Sequence, residues 1–343
     1  MLRLPPFRFR TPPSLEEAAR IVAGEGTAAR LVAGGTDLWP NMKRRHQKAD
    51  TVISLMAIPG LGEISSGTTP LTLGATAILE DVARHAAVRG RYPTLARAVS
   101  SISSPPLRWM GTIGGNVCVD TRCTYYDQTE DWRRSISYCM KEEGTVCWVA
   151  PSSKRCLAHS ASDSAPVLSA LGATVRLVST EGEREIPVAD LYRDDGIDYL
   201  GKRPEEIVTA ITLPDGADAT RCRSSFWKLR RRGSIDFAVL SAAVALWLDG
   251  AGRVERASIV LGAVASRPLP VPEAAALLLG QTPTPDLLAE AARLAAKPAT
   301  PFDNTDFQAQ WRKKMVERYV EAALREAVGL PAERLAPKHT LAV

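Results

Sequence analysis

The chain has 343 residues, 45% of them hydrophobic and 24% charged, with a formal net charge of +5. This length allows two or three domains, and the composition is typical of a globular protein. The longest apolar run, at residues 237–248, is shorter than the roughly 18 residues of a membrane span. Arginines and prolines in the first ten residues do not fit a signal peptide. We therefore expect a cytoplasmic protein with no membrane contact.

The first hundred residues predict an α+β pattern. Ser14-Leu-Glu-Glu17 is a capping box, which predicts a helix that ends at Gly24. The other elements predicted here are strands over 29–33, 51–55 and 64–75 and helices over 78–85 and 94–100.

The rest of the chain continues the pattern, with a third region that begins near Arg221. Proline-rich joints separate its last helices. The elements predicted are helices over 165–171, 273–279, 285–296 and 306–327 and strands over 174–178, 207–213, 225–229, 237–248 and 256–264.

Two basic triplets, at residues 43–45 and 230–232, are interpreted as solvated surface. Contact with cofactor phosphates, or docking of an acidic electron-transfer partner, stays open for both. Neither triplet lies among interleaved aromatic residues, so the sequence does not indicate nucleic-acid binding.

Cysteine is concentrated in one polar, weakly periodic region. Five of the six cysteines lie between Cys118 and Cys156, and the sixth is Cys222. Metal ligation is favoured over disulfides, which a reducing cytoplasm disfavours, and over unrelated free thiols. Thiolates suit iron–sulfur clusters better than hard cations. Zinc stays open, although only Cys118-x4-Cys123 approximates the usual zinc knuckle.

Two glycine-rich turns are the second chemical feature. The segments are Leu31-Val-Ala-Gly-Gly-Thr-Asp-Leu38 and Gly111-Thr-Ile-Gly-Gly-Asn116, each expected to follow a strand. Neither fits the Gly-x-Gly-x-x-Gly fingerprint of a Rossmann unit. Glycines let a diphosphate approach backbone amides, so the pair indicates a phosphate site, with simple tight turns as the alternative.

These residues carry a resemblance. The two glycine turns, Asp163 ahead of Ala165-Pro166, and Phe226-Trp-Lys228 leading to Asp236-Phe-Ala238 resemble the FAD-binding subunits of the xanthine dehydrogenase and carbon monoxide dehydrogenase family of molybdenum hydroxylases. The resemblance covers about residues 1–330. It implies an α+β fold with FAD-binding subdomains at 1–62 and 63–220 and a C-terminal α+β domain at 221–330.

Most of that family lacks the segment at about 118–157. Its spacing, with Tyr125-Tyr126 and Trp132-Arg133 near the start, resembles the inserted loop of the β subunits of 4-hydroxybenzoyl-CoA reductases, which holds a [4Fe–4S] cluster. The implied ligands are Cys123, Cys139, Cys147 and Cys156. Cys118 is implied to be a spare thiol behind the flavin loop. Because the loop is an insertion, serine at any ligand is expected to remove the cluster and leave FAD bound.

The resemblance also implies which residues surround FAD. Asp163 would bind a ribose or a nearby polar group, Lys228 would place a cation near the cofactor, and Thr76 and Val208 would line it. Valine at position 35 is expected to exclude the diphosphate. The diphosphate would lie over residues 32–37 and near residues 112–116. The implied FAD-binding residues of the two turns are Leu31, Val32, Ala33, Gly34, Gly35, Thr36, Asp37, Leu38, Thr112, Gly114, Gly115 and Asn116.

No catalytic residue for substrate chemistry is expected on this chain, because its four histidines are dispersed and expected at the surface; they are His46, His85, His159 and His339. The implied partners are a molybdenum-cofactor subunit, a [2Fe–2S] subunit and a ferredoxin-like electron donor, and the implied reaction is reductive dehydroxylation of an aromatic CoA thioester. A flavoprotein subunit of another molybdenum hydroxylase, a stand-alone flavin oxidase and a zinc-stapled scaffold remain alternatives.

Overall fold

The computed structural model describes residues 2–65, 70–214 and 221–332. The α+β class predicted from the sequence is confirmed: helices pack on three separate sheets. The strands are β1 Arg8–Arg10, β2 Ala29–Val32, β3 Thr51–Ser54, β4 Leu71–Gly74, β5 Thr174–Ser179, β6 Gly182–Pro187, β7 Ile207–Leu213, β8 Cys222–Leu229, β9 Leu240–Leu248, β10 Val254–Gly262 and β11 Leu269–Pro270.

The α-helices are mostly short. They are α1 Leu15–Glu25, α2 Leu38–Lys43, α3 Leu79–Arg84, α4 Ala86–Arg91, α5 Pro93–Ser100, α6 Pro105–Arg108, α7 Ile113–Val117, α8 Glu130–Ser135, α9 Ser164–Ala170, α10 Pro272–Ala276, α11 Pro285–Ala295 and α12 Ala309–Ala327. Two 3-10 turns cover Gly26–Ala28 and Val188–Leu191.

The first sheet is small and parallel, with the order β1-β3-β2. Helix α1 covers it, and Ala18, Ala19 and Val22 on one helix face are buried. Ser14 caps this helix as predicted, since its hydroxyl accepts a hydrogen bond from the Glu17 amide at 3.2 Å. The predicted end at Gly24 is wrong. The helix ends at Glu25, and its C-cap is Gly26, whose φ of +55° favours glycine.

The second sheet is antiparallel, with the order β4-β7-β5-β6. Its buried face packs with α3, α5, α7 and α9 in the largest apolar cluster of the described chain. Strand β6 was not predicted. Most of its side chains are exposed and charged, so it shows no apolar alternation, and it forms by pairing with β5 at the sheet edge.

The third sheet is antiparallel, with the order β11-β10-β9-β8. Strand β9 is buried along almost its whole length, in agreement with the apolar run in the sequence, although it begins at Leu240 and not at Phe237. Helices α10 and α12 pack against this sheet and, together with α11, bury a second apolar cluster. The long helix α12 begins at Ala309, three residues after the predicted start.

The predicted exposure of the histidines is partly wrong, and the predicted domain boundaries remain predictions. His46 and His159 are buried and not at the surface, and His339 lies outside the described residues. The boundary between residues 62 and 63 stays a prediction, as does that at 220, which falls outside the described ranges. Within those ranges, no helix is long and apolar enough to cross a bilayer.

Arg312, in α12, anchors the third sheet through a fully buried guanidinium. It donates to the backbone carbonyls of Val239, Phe302 and Ala263 at 2.9, 2.9 and 2.6 Å. Each of these carbonyls would lose a buried partner if the guanidinium were removed.

We predict that Arg312→Met lowers the free energy of unfolding by at least about 2 kcal/mol, because a buried acceptor without a donor costs about 1–3 kcal/mol. Arg318→Met, on the exposed face of the same helix, is the control and should change it by less than about 0.5 kcal/mol. Urea titration of both variants gives the comparison. Equal stability of the two variants would contradict the anchoring role.

Candidate functional site

The two glycine turns lie directly against each other. Leu31 and Val32 end strand β2, Ala33 to Asp37 form the first turn, and Leu38 begins α2. A Cβ atom on Gly34 would lie 1.6 Å from the Met110 carbonyl oxygen, and one on Gly111 would lie 3.4 Å from the Thr36 hydroxyl. Glycine is therefore required for the two turns to touch. The structure brings together two segments that are about 80 residues apart in sequence.

Gly35 is required for a different reason. Its φ is +72°, and a Cβ atom there would lie 2.0 Å from the indole nitrogen of Trp39. A valine at this position would therefore distort the turn whether or not a ligand binds. Loss of a cofactor from that variant would not identify a phosphate site, so the Gly35→Val test suggested by the sequence is unsuitable.

The second turn forms the short helix α7. Thr112 caps it by accepting from the Gly115 amide at 3.1 Å. A Cβ atom on Gly114 would lie 2.6 Å from the Ala75 carbonyl oxygen, whereas Gly115 is exposed. The segment before this turn is helical, at α6, so the expectation of a preceding strand is wrong.

Asn116 connects the second turn to the segment that carries Asp163. Its side-chain oxygen accepts from the hydroxyls of Ser162 and Ser164 at 2.9 and 2.6 Å and from the Ser164 amide at 3.3 Å. Asn116 therefore holds this segment beside the turns. Ser162 and Ser164 were missed by sequence reasoning, because serines in a loop carry no signal of their own.

Asp163 and Lys228 form a buried ion pair of 2.6 Å, with side chains 4% and 5% exposed. Lys228 also donates to the Ser101 carbonyl at 3.1 Å. Burial raises the pKa of Asp163 and lowers that of Lys228, and each partner opposes the shift of the other. The Asp163 Oδ1 atom is buried with no hydrogen-bond partner among the described residues. A polar ligand group that donates to this oxygen would satisfy it.

Thr76 lies two residues past the end of β4, and Val208 lies in β7, beyond the residues that pair with β4. The Ala75 amide donates to the Thr209 carbonyl at 2.9 Å, which continues the register of Gly74 with Ala210. Both side chains are buried. Ala75 also contacts Gly114, so this end of the sheet lies beneath the second turn.

A cation missed by sequence reasoning, Arg122, contacts the first turn. Its guanidinium pairs with the Asp37 carboxylate and lies 3.4 Å from the Asn41 side-chain oxygen. Asn41 in turn donates to Asp37 at 3.0 Å. Asp37 is therefore engaged by two protein donors. A single arginine beside a cysteine gives no sequence signal for a partner 85 residues away.

The predicted cluster ligands converge. Cys123, Cys139, Cys147 and Cys156 are all buried, and all four line one small cavity. All six cysteines are free thiols, so the structure has no disulfide among them. Cys118 lies outside this cavity and packs against the core of the second sheet. In the part of the chain that the structure describes, no group of three or more His, Cys, Asp or Glu is placed to hold a metal ion.

These thiols are in an environment that opposes ionisation. Burial raises the pKa of Cys123 to about 12 and that of Cys156 to about 11, and it also raises the pKa of Cys139. Neighbouring thiols add to each rise, because a second thiolate beside the first is disfavoured. The Lys141 ammonium acts in the opposite direction on Cys139 and Cys156. A metal centre that bound here would have to displace the thiol protons.

The cysteine loop, defined as residues 118–157, is held by buried polar contacts, some of them within the loop and some to the rest of the chain. Backbone hydrogen bonds of 2.9 and 2.8 Å between Arg122 and His159 join its two ends. Arg133 pairs with Glu142 at 2.6 Å and donates to the Arg44 carbonyl at 3.1 Å. Lys141 pairs with Asp120 at 2.7 Å. The loop is therefore fixed against the segment that follows α2.

Comparison with known proteins connects this architecture to a family. Residues 5–216 match the family model described as the FAD binding domain in molybdopterin dehydrogenase. Residues 224–327 match the CO dehydrogenase flavoprotein C-terminal domain. The match boundaries coincide with the passage from the second sheet to the third.

Similar proteins span nearly the whole chain. The aldehyde oxidoreductase FAD-binding subunit PaoB of Escherichia coli (strain K12) is 33% identical over 76% of this chain and 81% of its own. The carbon monoxide dehydrogenase medium chain of Afipia carboxidovorans is 27% identical, and the match covers 94% of this chain and 96% of that one. A solved carbon monoxide dehydrogenase from Hydrogenophaga pseudoflava has the same fold, with a TM-score of 0.79 and 24% sequence identity. The superposition covers 95% of this chain and 99% of the other.

We predict that Lys228→Met lowers the free energy of unfolding by about 3–5 kcal/mol, because it leaves Asp163 buried without a counter-charge. The double variant Asp163→Asn/Lys228→Met should regain much of the loss, since it removes both charges. Arg231→Met, which breaks an exposed pair with Asp306, is the control and should cost less than about 1 kcal/mol. Chemical denaturation measures all three. No recovery in the double variant would show that the pair is not the source of the loss.

Proposed function

The chain belongs to the family of FAD-binding subunits of molybdopterin dehydrogenases and is a flavoprotein subunit of that family; we propose that it also holds a [4Fe–4S] cluster and transfers electrons within a larger molybdenum enzyme. One observation supports the cluster most directly. Four buried cysteines, drawn from a loop of about 40 residues, line a single cavity. The proposal rests on these converging thiols and not on a preformed ion site.

The donor set fits an iron–sulfur cluster. Four cysteines are the usual ligands of [4Fe–4S] centres, and such centres exchange one electron at a time. Lys141 lies close enough to favour the thiolate forms of Cys139 and Cys156. It is held by Asp120 and by the Gly196 carbonyl. We propose that it offsets part of the negative charge that four thiolates bring into this buried space.

The flavin site is proposed at the joined glycine turns. Backbone amides of the first turn are proposed as the donors to a diphosphate. The first amides of α7 already donate to Thr112, Ala75 and Ala77, so α7 contributes the open space at the exposed Gly115. Asp163, with its unpaired buried oxygen, is proposed to accept a hydrogen bond from a hydroxyl of FAD. Lys228 then acts on FAD through Asp163, because its ammonium is already paired with that carboxylate. Thr76 and Val208 are proposed to line the site from below.

Substrate chemistry is assigned to a partner subunit. His46 bonds the Gln128 carbonyl and His159 the Ser160 carbonyl, both in buried positions. Burial lowers the pKa of His46 and also that of His159, to about 3, so neither is suited to proton transfer near neutral pH. We propose that a molybdenum-cofactor subunit and a [2Fe–2S] subunit complete the enzyme.

The cysteine loop favours one member of the family. We propose a 4-hydroxybenzoyl-CoA reductase-like complex, in which a ferredoxin-like donor supplies electrons for the dehydroxylation of an aromatic CoA thioester. The alternative is a flavoprotein subunit of another molybdenum hydroxylase, which the similarity to aldehyde oxidoreductase and carbon monoxide dehydrogenase subunits favours. Reduction of aromatic CoA thioesters by the native complex, tested beside aldehydes, distinguishes the two.

We predict that Gly115→Val weakens FAD binding at least tenfold, a change of about 1.4 kcal/mol, because it fills the open face of α7. A Cβ atom here meets only the Thr112 hydroxyl, at 3.0 Å, so the backbone fits a side chain with a small adjustment. Gly24→Val, in the exposed face of α1 with nothing within 4 Å, is the matched control for glycine replacement in a helix. Flavin fluorescence titration gives both affinities. Wild-type affinity in Gly115→Val would move the diphosphate away from α7.

We predict that serine at Cys123, Cys139, Cys147 or Cys156 removes iron and acid-labile sulfide, because each substitution replaces a cluster ligand. Cys118→Ser, in the same segment but outside the cavity, is the control and should retain both. Iron and sulfide per chain, with the EPR spectrum after reduction, are the measurements on anaerobically purified protein. Zinc without sulfide in the wild type would overturn the cluster, and iron loss only in Cys118→Ser would shift the ligand set.

A further inference from the structure

The residue that joins the cysteine loop to the first glycine turn is Arg122. It directly precedes the first proposed cluster ligand, Cys123, and its side chain points away from the cavity toward the Asp37 carboxylate. The guanidinium is buried, and its Nε has no partner among the described residues. A buried arginine in such a position is held by its charged neighbours and not by solvent.

Two acidic residues compete for this cation. Asp37 belongs to the glycine turn, and Asp127 belongs to the cysteine loop, 3.7 Å from Arg122 Nη1. The guanidinium also lies over the ring of Phe237, 4.7 Å from its centroid, in the segment that leads into β9. Arg122 thus contacts the first turn, the loop and the third sheet at once.

Charge balance explains why the first turn needs this contact. Asp37 lies in the turn proposed to approach a diphosphate, and a free carboxylate there would repel a ligand of the same sign. Arg122 and Asn41 both engage that carboxylate. The backbone of Arg122 is fixed in turn by its two hydrogen bonds with His159 at the base of the loop. Disorder in the loop would therefore release the cation that neutralises Asp37.

We propose that Arg122 is a positioning residue that couples the two cofactor sites, so that occupancy of the cysteine loop increases the affinity of the chain for FAD. This inference rests on the proposed function. It replaces the expectation that the loop is independent of flavin binding, which was based only on its being an insertion.

The first experiment tests the electrostatic role of Arg122 in the full chain. Arg122→Met is expected to weaken FAD binding at least tenfold, and Arg122→Lys to retain part of the affinity because it keeps the charge. Asp37→Asn/Arg122→Met should bind FAD more tightly than Arg122→Met, since it removes the uncompensated carboxylate. Arg134→Met, an exposed change in the same loop, is the control. Failure of Asp37→Asn to restore affinity would overturn the charge-balance role.

The second experiment tests the coupling. FAD affinity is measured by fluorescence titration for iron-loaded and chelator-treated protein, in the wild type and in Arg122→Met. Iron removal is expected to weaken FAD binding several-fold in the wild type and to have little effect in Arg122→Met. Iron-loaded wild type with the same affinity as its iron-free form would overturn the coupling alone. Protein that takes up no iron would overturn the cluster assignment itself, and the iron assay tells the two failures apart.

Discussion

Contact between the two glycine turns is the constraint on which the candidate site depends. Gly34 packs on the backbone of Met110 so closely that no other residue fits, and Gly111 lies beside Thr36. The first turn ends a parallel strand, whereas the second begins a helix on the antiparallel sheet. The approach of these two backbones therefore sets the position of the first sheet relative to the second. Asn116 connects the second turn to the segment that carries Asp163, through its hydrogen bond with Ser164. The ion pair between Asp163 and Lys228 then connects that segment to the third sheet.

Three ion pairs of the described chain are buried on both sides. Asp163 with Lys228, Asp120 with Lys141 and Glu142 with Arg133 are all ion pairs in which both side chains are less than 10% exposed. Such pairs stabilise a fold little compared with apolar residues of similar volume, because desolvation offsets the attraction. These ion pairs instead restrict geometry. Because a buried charge has few alternative partners, each pair fixes the position of one segment relative to another. Two of the three lie within the cysteine loop and fix its internal conformation.

Site residues could be predicted from the sequence where a residue type, in its local pattern, has few structural roles. The glycine pairs, the clustered cysteines and the Ser14 cap are local signals of this kind, and the structure places the two turns together and the four cysteines around one cavity. The edge strand β6 could not be predicted because most of its side chains are exposed and show no apolar alternation. It is a strand because its backbone pairs with β5. The helix before Gly111 was taken for a strand, although Pro105 and Pro106 suit the first turn of a helix.

Arg122 illustrates what local sequence cannot contain. Its partners Asp37, Asn41 and Phe237 are between 81 and 115 residues away, and each pairing depends on how the sheets are placed. Whether an inserted loop is independent of the rest of the protein likewise depends on the contacts it makes. The presence of extra residues in the sequence does not show that independence. In this chain the loop returns to its own base through the Arg122–His159 bridge, and the same residue projects into the first turn. A loop anchored in this way cannot change its conformation at Arg122 without altering the electrostatic environment of Asp37, so the cysteine loop and the first turn share one buried cation.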